Sequence, residues 1–461
     1  MVSVFKKITF IYRLKPLDIS TSAGRSTERH RRIAITAISS IAAKGVSVLT
    51  ALVSVPLTVG YLGAERYGLW MTISSVIAML GFADLGMGNG LLNAISEAHG
   101  KDDRKLAEEY VSSALFMLSA IALALAVFFS LMYPFIPWPK VFNVSSHQAV
   151  AEAGPAAFVF IGCFLVNIPL GVIQRIQMGY QEGFLNNIWL GFGSVLGLCG
   201  VLLAIYFKAG LPYLVLAMAG APALAAFLNG IILFGFKRPW LRPRISHVSW
   251  NASQKIYRTG ILFFVLQIAV ALAYSSDNIV AAQVLGPGSV TEYSITMRLF
   301  SVITMILGMV LSPMWPAYGE SIARGDIAWA RRMLRRSVIF SFLLSIVPSV
   351  LLVIFGKVII WFWVGPQITP TFMLLLGLGI WTVIASVSSA VAMFLNGANL
   401  IRFQVICASL MSISAITLKI VLSKSIGLPG IIWATVLAYL VFAAVPYSLM
   451  IPRALRSMDN K

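Results

Sequence analysis

Twelve apolar runs, separated by short polar turns, account for nearly the whole chain. They cover 34–61, 68–95, 111–133, 154–176, 187–207, 211–234, 259–284, 292–316, 337–356, 371–395, 402–422 and 430–450. A helix needs ~20 apolar residues to cross a bilayer core, and these runs are of that order. They are continuously apolar and do not alternate with period two, which predicts helices and not the strands of a barrel. The expected fold class is therefore all-α integral membrane, with about twelve transmembrane helices. The longest polar stretch between runs lies near the midpoint, in GFKRPWLRPRISHVSWNASQKIYRTG (Gly235–Gly260), and leaves six runs on either side. The expected organisation is a basic cytoplasmic tail (1–33), an N-terminal six-helix bundle (34–234), a cytoplasmic linker (235–258), a C-terminal six-helix bundle (259–450) and a second cytoplasmic tail (451–461).

An internal repeat supports two pseudo-symmetric halves. YLGAERYGL (Tyr61–Leu69) parallels VLGPGSVTEYSI (Val284–Ile295), each placing Leu-Gly at the outer end of one helix and a tyrosine entering the next. Downstream, ISEAHGKDDRKLAEEY (Ile95–Tyr110) parallels GESIARGDIAWARRML (Gly319–Leu334), which pairs Gly100 with Gly325. From the Leu-Gly glycine to this second glycine is 37 residues in one half and 39 in the other. Repeats of this kind are common in transporters.

Composition changes the reading of charge more than that of fold. The chain is 59% hydrophobic and 11% charged, with a mean hydropathy of +0.88, whereas soluble domains carry about 25% charged residues. Of 35 basic residues, Lys44, Arg298 and Lys419 lie within the runs, while Arg175 and Arg402, at run ends, count with the loops they adjoin. If the N-terminus is cytoplasmic, five more (Arg66, Lys140, Lys208, Lys357 and Lys424) fall outside and the remaining 27 inside. Lysine and arginine accumulate in cytoplasmic loops, so both termini are expected in the cytoplasm, and the net charge of +19 is explained without nucleic acid. The apolar stretch Ile8–Tyr12 is too short for a signal-peptide core. Cys163, Cys199 and Cys407 stand alone in apolar runs and read as packing residues.

Charges inside the runs are the candidate chemistry. A charge at membrane depth costs at least ~2.5–3.5 kcal/mol and marks a functional position by default. Lys44 lies 18 positions before Leu62 and Asp84 lies 17 after Tyr67, so both sit roughly 25 Å below the same turn and can pair. Asp277 and Arg298 are the counterparts in the second half, ~10–12 Å below theirs. Asp84 and Asp277 are thus candidates for ion coupling or for ion pairs. Helix two ends in DLGMGNGLLN (Asp84–Asn93), whose alternating glycines invite a kink or a close helix contact. Asn89 and Asn93 share a helix face; they can bind sugar hydroxyls or hydrogen-bond between helices. Arg175 and Lys419 are expected to snorkel to headgroups, Arg175 with the option of meeting an incoming anionic headgroup. The four histidines form no H-E-x-x-H, and neither a phosphate-binding loop G-x-x-x-x-G-K-[ST] nor G-x-S-x-G occurs. Catalytic, metal and cofactor sites are therefore not expected.

LTVGYLGAERYGLWMTISSV followed by FADLGMGNGLLNAISEAHG resembles the first helical hairpin of Wzx-type polysaccharide flippases. SSDNIVAAQVLGPGSVTEYSITMRLFSVITMILGMVLSPMWPAYGESIARGD likewise resembles their helices seven and eight. These flippases belong to the multidrug/oligosaccharidyl-lipid/polysaccharide exporter superfamily. The resemblance implies two six-helix bundles, a cationic cavity and alternating access. The substrate it implies is an undecaprenyl-diphosphate-linked oligosaccharide, moved from the cytoplasmic to the periplasmic leaflet of a bacterial inner membrane with ion coupling. The family's basic cavity positions on helices one and eight correspond to Lys44 and Arg298. Implied partners are the lipid-linked oligosaccharide and membrane lipids, with a glycan polymerase and glycosyltransferases as candidate protein partners. Two alternatives stay open. A multidrug or cation exporter of the same superfamily would place acids around the cavity; a membrane glycan polymerase or acyltransferase would show a large outer loop or clustered His and Asp.

Overall fold

The computed structural model describes residues 21–79, 82–366 and 368–459, which are helical throughout apart from connecting turns; no strand occurs among them. The helices are α1 (Ser22–Gly63), α2 (64–79), α3 (Met87–Gly100), α4 (Arg104–Met132), α5 (His147–Gly179), α6 (Gly183–Tyr206) and α7 (Leu211–Lys237). They continue as α8 (Trp250–Leu285), α9 (Pro287–Leu311), α10 (Met314–Ala323), α11 (Ile327–Val364), α12 (Phe372–Gly397), α13 (Ile401–Ile426) and α14 (Pro429–Asp459). Eleven helices among the described residues are long and apolar enough to cross a membrane. The expected run 68–95 contains residues 80–81, which lie outside the described residues.

Several helices outrun their apolar segments because polar caps extend them. The Asp103 carboxylate accepts from the Leu106 N–H (3.0 Å), so α4 starts several residues before its run, with RKLAEEY as its first two turns. An N-cap of this type is worth ~1 kcal/mol. Residues 22–33 are the opening turns of α1, where Glu28 pairs with Arg31 (2.6 Å) and Arg32 (2.8 Å).

The chain divides into two compact units, 1–261 and 262–461. In the first, one apolar cluster gathers Leu91, Ile95, Tyr110, Val172, Ile176 and Ile256, and a second gathers Leu69, Ile73, Val201 and Leu214. In the second unit Tyr293, Phe300, Leu378, Trp381 and Ile431 form the cluster. The packing is inverted relative to a soluble protein. Along α11, Ser337, Ser341, Ser345 and Ser349 face inward and are buried, while Leu343, Val347 and Ile354 are exposed. Lipid tails are as apolar as leucine, so membrane helices associate through small residues that allow close approach. Gly379 of α12 shows this directly: a Cβ there would lie 2.5 Å from a Val353 methyl.

The repeat is visible in the backbone. Gly63 (φ 76°, ψ 170°) and Gly286 (φ 94°, ψ 161°) adopt one conformation, closed to other residue types; Gly63 separates α1 from α2, and Gly286 separates α8 from α9. The second match needs correction. The residue that shares Gly325's left-handed backbone (φ 75°) is not Gly100 but Asp102 (φ 53°). Each precedes an aspartate cap: Asp103 on the Leu106 N–H, Asp326 on the Trp329 N–H (3.3 Å). Aspartate tolerates this region better than most residues, so glycine was the wrong marker. With Asp102 in place, the spacing is 39 residues in both halves.

Candidate functional site

Asp84 sits in the turn between α2 and α3, where Leu85 (φ 49°) and Gly86 (φ 71°) reverse the backbone. Its carboxylate accepts from the Gly86 N–H (2.9 Å) and the Gly88 N–H (3.2 Å). Free amides and the positive dipole end both favour an anion at a helix start. The three alternating glycines now have separate roles. Gly86 supplies the left-handed turn. A Cβ at Gly90 would lie 2.6 Å from the Ile256 carbonyl oxygen, so that glycine lets α3 cross the start of α8. A Cβ at Gly88 would lie 2.7 Å from Asp84 Oδ2 and 3.0 Å from Arg175 Nε. The carboxylate and the guanidinium thus face each other across a missing side chain. They line a cavity of about 170 Å³ together with Asn167, Gly171 and Gln174.

This replaces the expected Lys44–Asp84 pair. Lys44 is exposed and has no ion pair among the described residues. Equal depth on neighbouring helices is not equal azimuth: α1 turns Ser47 toward Ser194 of α6 (2.9 Å), whereas Asp84 faces α5. Arg175 does not simply snorkel; it is half-buried and directed at Asp84.

In the second unit the expected Asp277–Arg298 pair is also replaced. Asp277 meets Lys419 of α13 (Nζ to Oδ1, 2.5 Å) and accepts from the Tyr293 hydroxyl (2.7 Å). Lys419 is fully buried and also donates to the Ala273 carbonyl and to Ser276 Oγ (3.1 Å). It cannot snorkel, since its three donors are all engaged inside the unit. Arg298 is exposed, without an ion pair among the described residues. Asn89 and Asn93 are half-buried on α3. The one available signal for Lys419 was its place inside an apolar run, the same signal that singled out Lys44.

Outside the spans, acids are tied to neighbours in the first unit. Glu182, at the α5–α6 turn, binds Lys237 (2.9 Å) and both terminal nitrogens of Arg238 (3.0 and 3.1 Å), and Arg238 stacks 3.8 Å over the Tyr180 ring. Burial works to raise the Glu182 carboxyl, but Arg238 and Lys237 outweigh it and hold it below the usual range. Toward the other end, Arg66 forms a two-pronged pair with Glu152 (2.6 and 2.7 Å). Beside it, Glu65 accepts from the Ser145 and Ser146 N–H groups (2.6 and 3.1 Å), led by Ser145, which holds its carboxyl at about 2.

A profile of the family described as polysaccharide biosynthesis protein matches residues 34–322, well over half of the chain. The chain belongs to that family. Among its relatives, a putative O-antigen transporter of Salmonella typhimurium is 23% identical over 87% of the chain and 92% of its own length. A putative O-antigen export protein of Yersinia pseudotuberculosis is 22% identical over 68% and 71%. In fold, the chain is similar to a MATE transporter in its bent conformation (TM-score 0.79, 16% identity, 94% of this chain and 97% of that one). It is comparably similar to a MOP-superfamily transporter from Pyrococcus furiosus (0.77, 15%, 94% and 97%). The chain is thus a multi-pass membrane protein that shares the fold of these transporters.

Proposed function

We propose that the chain is a non-enzymatic flippase of a bacterial inner membrane. It carries an undecaprenyl-diphosphate-linked oligosaccharide from the cytoplasmic to the periplasmic leaflet by alternating access, with both termini in the cytoplasm. The family match and the relatives named as O-antigen transporters support the substrate class. The observation that carries the reading is a pair of cations, one per unit, with no ion pair among the described residues: Lys44 on α1 and Arg298 on α9. A cation kept without a partner in an apolar span is costly, and a passing diphosphate offsets that cost, because Coulomb attraction strengthens as the dielectric falls. Asp84 is the better candidate for ion coupling. It borders a cavity, whereas Asp277 is locked by Lys419 and Tyr293.

The test is surface glycan in a strain dependent on this chain, normalised to the amount of protein in the membrane. Lys44→Ala or Arg298→Ala should each reduce display at least tenfold with the protein level unchanged. Full display in the double variant refutes the proposal. Dye efflux by the wild-type chain, with no effect on glycan, would point to the exporter alternative.

A further inference from the structure

The second unit carries a half-open cavity of about 360 Å³ between α8, α9 and α12 that none of the charged positions lines. Its walls combine aromatic rings with neutral hydroxyls: Tyr274, Trp381, Ser301, Thr304, Thr382 and Ser389. The volume lies within the ~300–1,000 Å³ of small-molecule sites. Tyr274 is partly exposed, and Trp381 is packed behind it with ring centroids 6.0 Å apart. Of the hydroxyls that line it, which include Ser388 and the Tyr274 phenol, four donate within their own helices. Ser301 donates to the Arg298 carbonyl (2.7 Å), Thr304 to that of Ser301 (3.0 Å), Thr382 to that of Leu378 (2.7 Å) and Ser389 to that of Ala385 (2.8 Å). What they present to the cavity is acceptor lone pairs.

That pattern selects a ligand class. A phosphate or carboxylate brings only acceptors and would meet these four acceptor oxygens, with the Tyr274 phenol among the named groups to donate in return. A cation would require an acid, and no lining residue is charged. A hydrocarbon tail would leave the hydroxyl oxygens unanswered. A pyranose ring answers both wall types, with O–H donors at its rim and a C–H face for an aromatic platform. Arg298 does not line the cavity, but it lies one helical turn before Ser301 on the same helix.

We infer that this cavity is a sugar subsite, which receives the ring attached to the diphosphate while Arg298 holds the phosphates. This rests on the proposed carrier function and specifies where that substrate's first sugar goes. The test compares two probes binding to the purified full chain in nanodiscs: a polyprenyl diphosphate, and the same lipid bearing N-acetylglucosamine. Wild-type protein should bind the sugar-bearing lipid at least tenfold more tightly. Tyr274→Ala, and separately Thr382→Val with Ser389→Ala, should abolish that preference and leave binding of the bare diphosphate unchanged. Tyr274→Phe, which keeps the ring, should retain it, and Arg298→Gln should weaken both lipids alike. Equal wild-type affinities, or pocket variants that weaken both lipids equally, overturn the sugar subsite and leave the carrier reading standing. Binding of neither lipid overturns both.

Discussion

Asp84 and Asp277 are both aspartates in apolar sequence, each in the helical hairpin that opens its half, yet their surroundings differ in kind. Asp277 is closed in: Lys419, Tyr293 and the backbone of α8 satisfy a pair that meets neither cavity nor solvent. Asp84 is held by two amides at the start of α3 and faces Arg175 across the space left free at Gly88, beside an open cavity. Replacing a closed pair with matched apolar groups is often harmless, whereas removing one member strands a buried charge. The comparison therefore separates a charge that organises its unit from one that remains available to a ligand or an ion.

The largest expected effect tests the closed side. Lys419→Ala should destabilise the second unit by about 3–5 kcal/mol, read as loss of membrane-inserted protein and a lowered Tm in detergent. Lys419→Met with Asp277→Asn should recover most of that loss, since neither partner is then left charged. If the single variant is as stable as wild type, Asp277 is not locked, and the contrast with Asp84 fails.

The next effect tests the open side. Gly88→Ala adds one methyl between the Asp84 carboxylate and the Arg175 guanidinium, within 3.0 Å of both. Alanine is otherwise the better helix former by ~0.5–1 kcal/mol, so protein level should hold while glycan display falls about tenfold. Arg175→Gln should lower display similarly with little change in Tm. An unaffected display in both variants would remove this cavity from the transport cycle.

Legibility in the sequence followed the physics of each feature. The helices were readable because apolar length is a property of one segment, and the two halves because Leu-Gly turns recur with the backbone that only glycine adopts. Partners were not. The spacing gives Lys44 and Asp84 a common expected depth, but depth says nothing of rotation about the helix axis, and the turn before α3 directs the Asp84 carboxylate toward α5. Lys419 looked like a snorkelling lysine because position along a span does not reveal that Ala273, Ser276 and Asp277 converge on it from α8. The sugar subsite was silent for a similar reason: serine and threonine in membrane helices are commonplace, and only the convergence of α8, α9 and α12 makes a pocket of them.

A smaller effect is expected at Glu182, which is buried and paired like Asp277 but lies at a helix junction outside the spans. Its carboxyl is held below the usual range, so its contribution is complete above about pH 4.5 and is lost as the pH falls through the lower folded value. Glu182→Gln should lower Tm at pH 7 by the equivalent of about 1.5–3 kcal/mol, the range for hydrogen bonds to charged groups. The deficit should shrink toward zero in acid. A deficit that is constant with pH would mean that shape, not charge, holds the Lys237–Arg238 contact.

The smallest effect is at Glu65, which isolates one part of Asp84's environment. Both carboxylates accept from two backbone amides, but Glu65 does so at an exposed turn with Ser145 and Ser146 and faces no guanidinium across a cavity. Those amides hold it at about 2, so the linkage has the same sign: its contribution is present above pH 4.5 and disappears between 4.5 and 2. Glu65→Gln should therefore leave glycan display at the wild-type level and shift Tm only slightly at neutral pH. If amide capping alone accounted for Asp84, then Asp84→Asn, which keeps an acceptor oxygen for Gly86 and Gly88, would be equally silent. We expect instead that Asp84→Asn reduces display by the same order as Gly88→Ala, because the charge facing Arg175, and not the cap, is what the open site uses.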